Sequence, residues 1–83
     1  MRMLDVDKKS SVRQVQLYIT PTEAAAFRKE LDRLWAIPEA NEHSHIFSDD
    51  MDCEFSFSII TESKLKNIQA YTKLEQRVLT EKP

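Results

Sequence analysis

The 83-residue sequence contains no glycine, a single cysteine and no long hydrophobic run. Without glycine, the phosphate-binding loops of P-loop and dinucleotide-binding proteins are excluded. Any turn that requires a positive φ angle is expected to use Asn or Asp. Cys53 has no partner for an internal disulfide, which is typical of a reducing compartment. Neither an apolar run of about 18 residues nor the apolar segment of a signal peptide is present. We therefore expect a cytoplasmic protein that does not enter the membrane.

Charge is distributed unevenly along the chain. Residues 39–62 contain seven acidic residues and no Lys or Arg, whereas the remaining residues contain seven acids and twelve bases. The middle of the chain therefore carries −7 and the rest +5, for a net charge of −2. Clustered charge of one sign steers a partner of the opposite sign. The seven acids are Glu39, Glu42, Asp49, Asp50, Asp52, Glu54 and Glu62.

Residues 12–19, VRQVQLYI, alternate between apolar and polar side chains. Val15, Leu17 and Ile19 share one face, and this period of two predicts a half-buried β-strand. Upstream, residues 1–11 predict either a short edge strand, over RMLDV with DKKSS as its turn, or a partly disordered segment.

The clearest element in the sequence is a helix over TPTEAAAFRKELDRLWAIP. Thr20 and Glu23 form a capping box, with proline at the first helical position. Pro38 predicts that the helix ends at Ile37. Trp35 is interpreted as a core residue because it lies on the apolar face of this helix. That face consists of Ala24, Phe27, Leu31, Leu34 and Trp35.

The last part of the chain, residues 61–83, is also helical in pattern. Apolar residues recur every three or four positions. A second T-x-x-E sequence, from Thr72 to Glu75, indicates a break near Tyr71 and a new helix start. Residues 80–83 are expected to form a frayed tail.

These elements together predict a small two-layer α+β domain that spans residues 1–83. It is an antiparallel sheet of three or four strands with two helices packed on one face, in the order (β)βαββα. The second sheet face is polar, as antiparallel sheets allow. A chain this short with open strand edges favours a homodimer.

The two histidines and the cysteine fall in one hairpin, NEHSHIFSDDMDCEFSF. His43 and His45 share a strand face, and the turn length decides which face it is. An even turn, with Ser48 to Met51 as its tip, places His45 opposite Glu54 on the polar face. An odd turn places both histidines on the apolar face. We favour the even turn because four-residue turns depend less on glycine.

Three kinds of site are conceivable in this hairpin. His43, His45 and Glu54 could supply zinc ligands, although histidines on a solvated strand are the simpler explanation of the spacing. The alternation of Asp50, Asp52 and Glu54 resembles the start of a calcium loop, but that loop's glycine is missing. A Cys53–His45 nucleophile is disfavoured because free cysteine on an apolar strand face is usually a packed hydrophobic residue. We therefore expect no cofactor and no catalysis.

We predict that the chain is a non-enzymatic protein-interaction module. It would act as an immunity-like or antitoxin-like protein, or as a regulatory protein. Its acidic hairpin would bind a protein with a basic surface. The alternative is a metal-binding protein that uses the His-x-His hairpin. A second alternative is single-stranded nucleic-acid binding on the sheet face through Tyr18 and Phe47, against which the negative charge argues. The predicted partner-binding residues are Glu39, Glu42, Asp49, Asp50, Asp52 and Glu54.

Overall fold

The structure is a computed structural model that describes residues 1–81. Within them the chain divides into two compact units. One runs from Tyr18 to Glu62, and the other consists of residues 1–17 and the chain from Ser63 onward. The α+β class is confirmed. The elements are β1 (Met3–Asp5), β2 (Ser10–Val12), α1 (Pro21–Ala36), β3 (Ser44–Phe47), β4 (Glu54–Phe57), α2 (Glu62–Lys66), a 3₁₀ turn (Ile68–Ala70) and α3 (Lys73–Thr80).

The unit over residues 18–62 consists of α1 packed against the β3–β4 hairpin. The capping box forms as predicted, and α1 ends at Ala36, one residue from the predicted end. The ring of Phe27 on α1 contacts two rings of β4, with centroids 5.7 Å from Phe55 and 4.9 Å from Phe57. These aromatic rings pack α1 against the hairpin.

The other unit joins the β1–β2 hairpin to α3. The guanidinium of Arg77 donates to the carbonyl of Lys9 at the hairpin turn, at 2.8 Å. Val78 on the same helix is buried. The second capping box, Thr72 with Glu75, starts α3 as predicted, and the helical segment does break before it.

The predicted single sheet of three or four strands is not confirmed, because the four strands form two separate two-stranded sheets. The predicted strand over residues 12–19 does not form, since only Val12 belongs to a strand and residues 13–19 are irregular. The predicted order (β)βαββα is likewise not confirmed. Alternation shows which face a strand would bury, but a strand forms only where a neighbour pairs with it.

Several side chains predicted as core are exposed. Trp35 is 69% exposed, and Leu34 is the one fully buried apolar residue of α1. Ala24 and Leu31 are also exposed. The hairpin covers a narrow stripe of the helix around Phe27 and Leu34, so the wider apolar face remains in solvent.

Positive φ angles occur at Lys9 and Met51 within the described residues, not at Asn or Asp as predicted. At both positions the turn is held by neighbouring hydrogen bonds, which offset the cost of the left-handed conformation. Of the predicted frayed tail, Thr80 closes α3, while residues 82 and 83 lie outside the described residues. No helix within residues 1–81 is long and apolar enough to cross a membrane.

Candidate functional site

The candidate site is the acidic end of the β3–β4 hairpin. β3 and β4 pair antiparallel with His45 opposite Ser56 and Phe47 opposite Glu54, so six residues, 48–53, connect them. The even turn that the sequence favours is therefore confirmed, but it is two residues longer than predicted. An offset of two residues preserves the faces, so His43 and His45 lie on the face of Glu54 and Ser56.

The turn is organised by Ser48 and Asp50. The Ser48 hydroxyl donates to Asp50 Oδ1 at 2.6 Å and accepts the backbone N–H of Cys53 at 2.9 Å. The same Asp50 oxygen accepts the backbone N–H of Asp52 at 3.1 Å. These bonds, from Ser48 first and Asp52 second, lower the pKa of Asp50. Asp50 is therefore a structural residue of the turn that also remains charged.

Met51 lies at the tip of this turn with a φ of 64°. Its backbone N–H donates to the carbonyl of Ser48, and its side chain is 69% exposed. Acidic residues precede and follow it in sequence. The tip thus presents one large apolar side chain between Asp50 and Asp52.

Asp49 connects the turn to the start of α1. The Thr20 hydroxyl donates to Asp49 Oδ2 at 2.7 Å, and the backbone N–H of Asp49 donates to Glu23 Oε2 at 2.8 Å. The second Glu23 oxygen accepts the backbone N–H of Thr20 at 2.8 Å, as part of the capping box. The pKa of Glu23 is lowered, first by the Thr20 bond and then by the Asp49 bond. Asp49 therefore positions the turn against the helix.

Arg33 on α1 gathers several partners around the start of β3. Its guanidinium contacts Glu30 at 3.2 Å and Glu42 at 2.9 Å. It also donates to the hydroxyl of Ser44 at 2.6 Å, and Ser44 is almost fully buried. The hydrogen bond to Glu30 is the main cause that raises the pKa of Arg33 above its ordinary value. Glu42 is thus partly neutralised within the chain.

The histidines form a small polar cluster on the hairpin. The His45 Nδ1 atom lies 2.7 Å from Glu54 Oε1, and the His43 and His45 ring centroids are 4.8 Å apart. Within residues 1–81, no group of three or more His, Cys, Asp or Glu residues is arranged to hold a metal ion. Cys53 is exposed rather than packed, which corrects the sequence-based interpretation of it.

The structure therefore divides the six predicted binding residues by their internal contacts. Five of the carboxylates contact a partner in their own unit. Four of these contacts are described above, and in the fifth the Thr61 hydroxyl donates to Glu39 at 2.9 Å. The Asp52 carboxylate makes no hydrogen bond or ion pair within residues 1–81. The five are Glu39, Glu42, Asp49, Asp50 and Glu54.

Charge follows the division into units. The unit from Tyr18 to Glu62 contains ten acidic residues and three basic residues, and carries −7. The rest of the chain contains four acids and nine bases, and carries +5. The polarity seen along the sequence is thus also a difference between two compact bodies.

Sequence reasoning missed the roles of Thr20 and Arg33 at this site. Thr20 was identified as a helix cap, but its bond to Asp49 joins residues 29 positions apart. Arg33 is not part of the apolar face of α1, and no local pattern indicates that it contacts Glu42 and Ser44. The capping box is a local sequence signal for the role of Thr20 at the helix start. It does not indicate that Thr20 also bonds to the distant Asp49.

Comparison with known proteins assigns no family to this chain, because no family model matches it and no curated protein or solved structure is significantly similar to it.

Proposed function

We propose that this chain is a non-enzymatic module that binds a protein with a basic surface through the acidic hairpin turn, residues 48–53. The observation that carries this proposal is the charge of the 18–62 unit, −7 over 45 residues. A compact body with this charge attracts a cationic surface and accelerates its association. An immunity-, antitoxin-like or regulatory role suits a module of this kind.

The turn supplies three further properties of a binding surface. Its backbone is fixed by hydrogen bonds, so little conformational entropy is lost when a partner binds. Its exposed Met51 is an adaptable apolar anchor. Asp52 has a carboxylate without an internal partner, which leaves it available for a Lys or Arg of another protein.

The other predicted acids contribute mainly as background charge. Asp49 and Asp50 are occupied with the shape of the turn, and Glu42 already contacts Arg33. Breaking such internal contacts costs free energy that offsets what a new ion pair gains. We therefore assign the direct contacts to Asp52 and Met51.

A charge-reversal pair tests the proposal. Asp52→Lys changes the charge of the turn by two units without removing an internal contact. Asp32→Lys is the matched control, because it makes the same change on α1, beside Arg28 and Lys29. Each variant and the wild type are used to capture proteins from a lysate of the native cells, and bound proteins are identified by mass spectrometry.

We expect a protein with a basic surface to be retained by the wild type and by Asp32→Lys, and to be lost with Asp52→Lys. Retention should also weaken with added salt, as for any contact driven by exposed charges. Equal retention by both variants would refute the assignment to the turn. A captured partner whose contacting surface is acidic would refute the proposal itself.

The second candidate function is metal binding by His43 and His45. The observation in its favour is the 2.7 Å contact of His45 with Glu54, since a carboxylate commonly orients a ligating imidazole. The ligand set is weak, because it consists of two histidines and the Glu54 carboxylate, which already contacts His45 Nδ1. Histidine NMR signals that do not shift on addition of zinc to metal-free protein would exclude this function.

A cytoplasmic location and a homodimer belong to the same proposal. The single cysteine, which is exposed and unpaired, suits a reducing compartment. Many large apolar side chains are exposed on the isolated chain, which suits a partner subunit. We do not propose nucleic-acid binding, because Tyr18 lies outside any sheet and the hairpin belongs to the negatively charged unit.

A further inference from the structure

Residues 15–19, VQLYI, have a β-strand pattern but no strand partner within residues 1–81. Their backbone groups make no backbone hydrogen bonds there. Val15, Leu17 and Ile19 are each about half exposed, at 48%, 47% and 53%, and Tyr18 is 90% exposed. The Leu17 carbonyl accepts one long side-chain hydrogen bond, from the Gln16 amide at 3.5 Å. A segment of alternating apolar residues without backbone pairing is a template for pairing with another chain.

The segment is complementary to itself in one antiparallel register. With Leu17 opposite Leu17 of a second copy, Val15 lies opposite Ile19 on the same face. On the opposite face, Gln16 lies opposite Tyr18. Each cross-strand pair then consists of two apolar residues, or of Gln with Tyr, and no charged residue takes part. Cross-strand pairs of this kind are the stabilising unit of a β-sheet.

We propose that residues 15–19 pair antiparallel with the same residues of a second copy, about a twofold axis at Leu17, and form the centre of a symmetric homodimer. A twofold axis uses the same surface on both copies and closes the assembly at two. This interface consists of residues other than those of the acidic turn, and it needs no other partner.

Five residue pairs form a small interface. We therefore expect a dissociation constant of roughly 1–100 μM.

Cysteine cross-linking tests both the dimer and its register. In a Cys53→Ser background, Leu17→Cys places two thiols directly opposite each other, at the Cα separation of about 4.5–5.5 Å that a disulfide accepts. Val15→Cys is the matched control, because it also removes one apolar side chain. Its two thiols lie four residues apart along the strands, about 13 Å, and cannot be bridged.

Light scattering with size-exclusion chromatography gives the mass of the wild type up to about 100 μM, where a dimer of this affinity is populated. The proposal requires that the wild type is a dimer in this range. It also requires that, under mild oxidation, the intermolecular disulfide forms at least about tenfold faster in Leu17→Cys than in Val15→Cys. A monomer over the whole range would overturn the proposal. So would equal cross-linking of the two variants, or a mass that grows beyond the dimer.

No basic partner takes part in these measurements. Failure here would therefore leave the role of Asp52 untouched, and a failed lysate capture would leave the dimer untouched.

Discussion

The aromatic contact between α1 and the hairpin is the strongest test of the fold of the 18–62 unit. Replacing Phe27 by Ala removes two ring contacts, at 4.9 and 5.7 Å. Each aromatic pair contributes about 0.5–1.5 kcal/mol beyond the burial of apolar area. A fully buried Phe→Ala change costs about 3–5 kcal/mol, and Phe27 is half-buried, so we expect a loss of roughly 2–3 kcal/mol.

That loss is large for this chain. A protein of this length has a free energy of unfolding of about 4–12 kcal/mol. With Leu34 and Val78 as the fully buried hydrophobic residues of the described chain, the lower half of that range applies. Phe27→Ala should therefore lower the melting temperature by about 10–20 °C.

Trp35→Ala is the matched control. Trp35 lies on the same helix and is the larger side chain, but it is 69% exposed. We expect it to cost less than about 1 kcal/mol. Urea unfolding followed by circular dichroism at the helical band compares both variants with the wild type. A larger loss for Trp35→Ala than for Phe27→Ala would refute the packing described above and restore the sequence-based interpretation of Trp35 as core.

Three further predictions concern the cap, its acid dependence and the unpaired segment. Thr20→Ala should cost about 1 kcal/mol of unfolding free energy, and Thr20→Ser much less, because serine keeps the capping hydroxyl; equal losses in urea would contradict this. The lowered pKa of Glu23 means that its stabilisation is complete above its ordinary pKa of 4.5 and is lost as pH falls through the lowered value. Glu23→Gln should therefore flatten the acid side of the stability profile, and an unchanged profile would exclude this role. Gln16→Pro should leave the unfolding free energy of dilute protein within about 0.5 kcal/mol, because residues 13–19 make no backbone pairing that proline would break; a loss above about 1 kcal/mol would indicate an internal strand.

Local chemistry explains which parts of the fold could be predicted from the sequence. A capping box involves four consecutive residues, so both helix starts, at Thr20 and Thr72, were predictable. The even parity of the hairpin turn could also be favoured from the sequence, because four-residue turns depend less on glycine. Its length was not, since it depends on the bonds that Ser48 and Asp50 make around the turn.

The parts that could not be predicted depend on distant residues. Nothing near Asp49 in sequence indicates that its carboxylate accepts a hydrogen bond from the Thr20 hydroxyl. Exposure of Trp35 depends likewise on how much of α1 the hairpin covers. A list of acids in a charged stretch does not show which carboxylates already have partners within the chain. Under the proposed function, Asp52 and its neighbour Met51 are the residues left for a partner.

The failure of the strand predicted over residues 12–19 has a different cause. The pattern is real, because Val15, Leu17 and Ile19 do alternate with polar residues, yet the strand has no neighbour within its own chain. A β pattern reports the environment that a segment is suited to, namely a pleated and half-buried surface, and that environment need not come from the same chain. In the proposed dimer, a second strand would satisfy the open backbone groups and place Val15, Leu17 and Ile19 beside apolar side chains of the other copy. An unmet β pattern of this kind is what the proposed pairing with a second copy would satisfy.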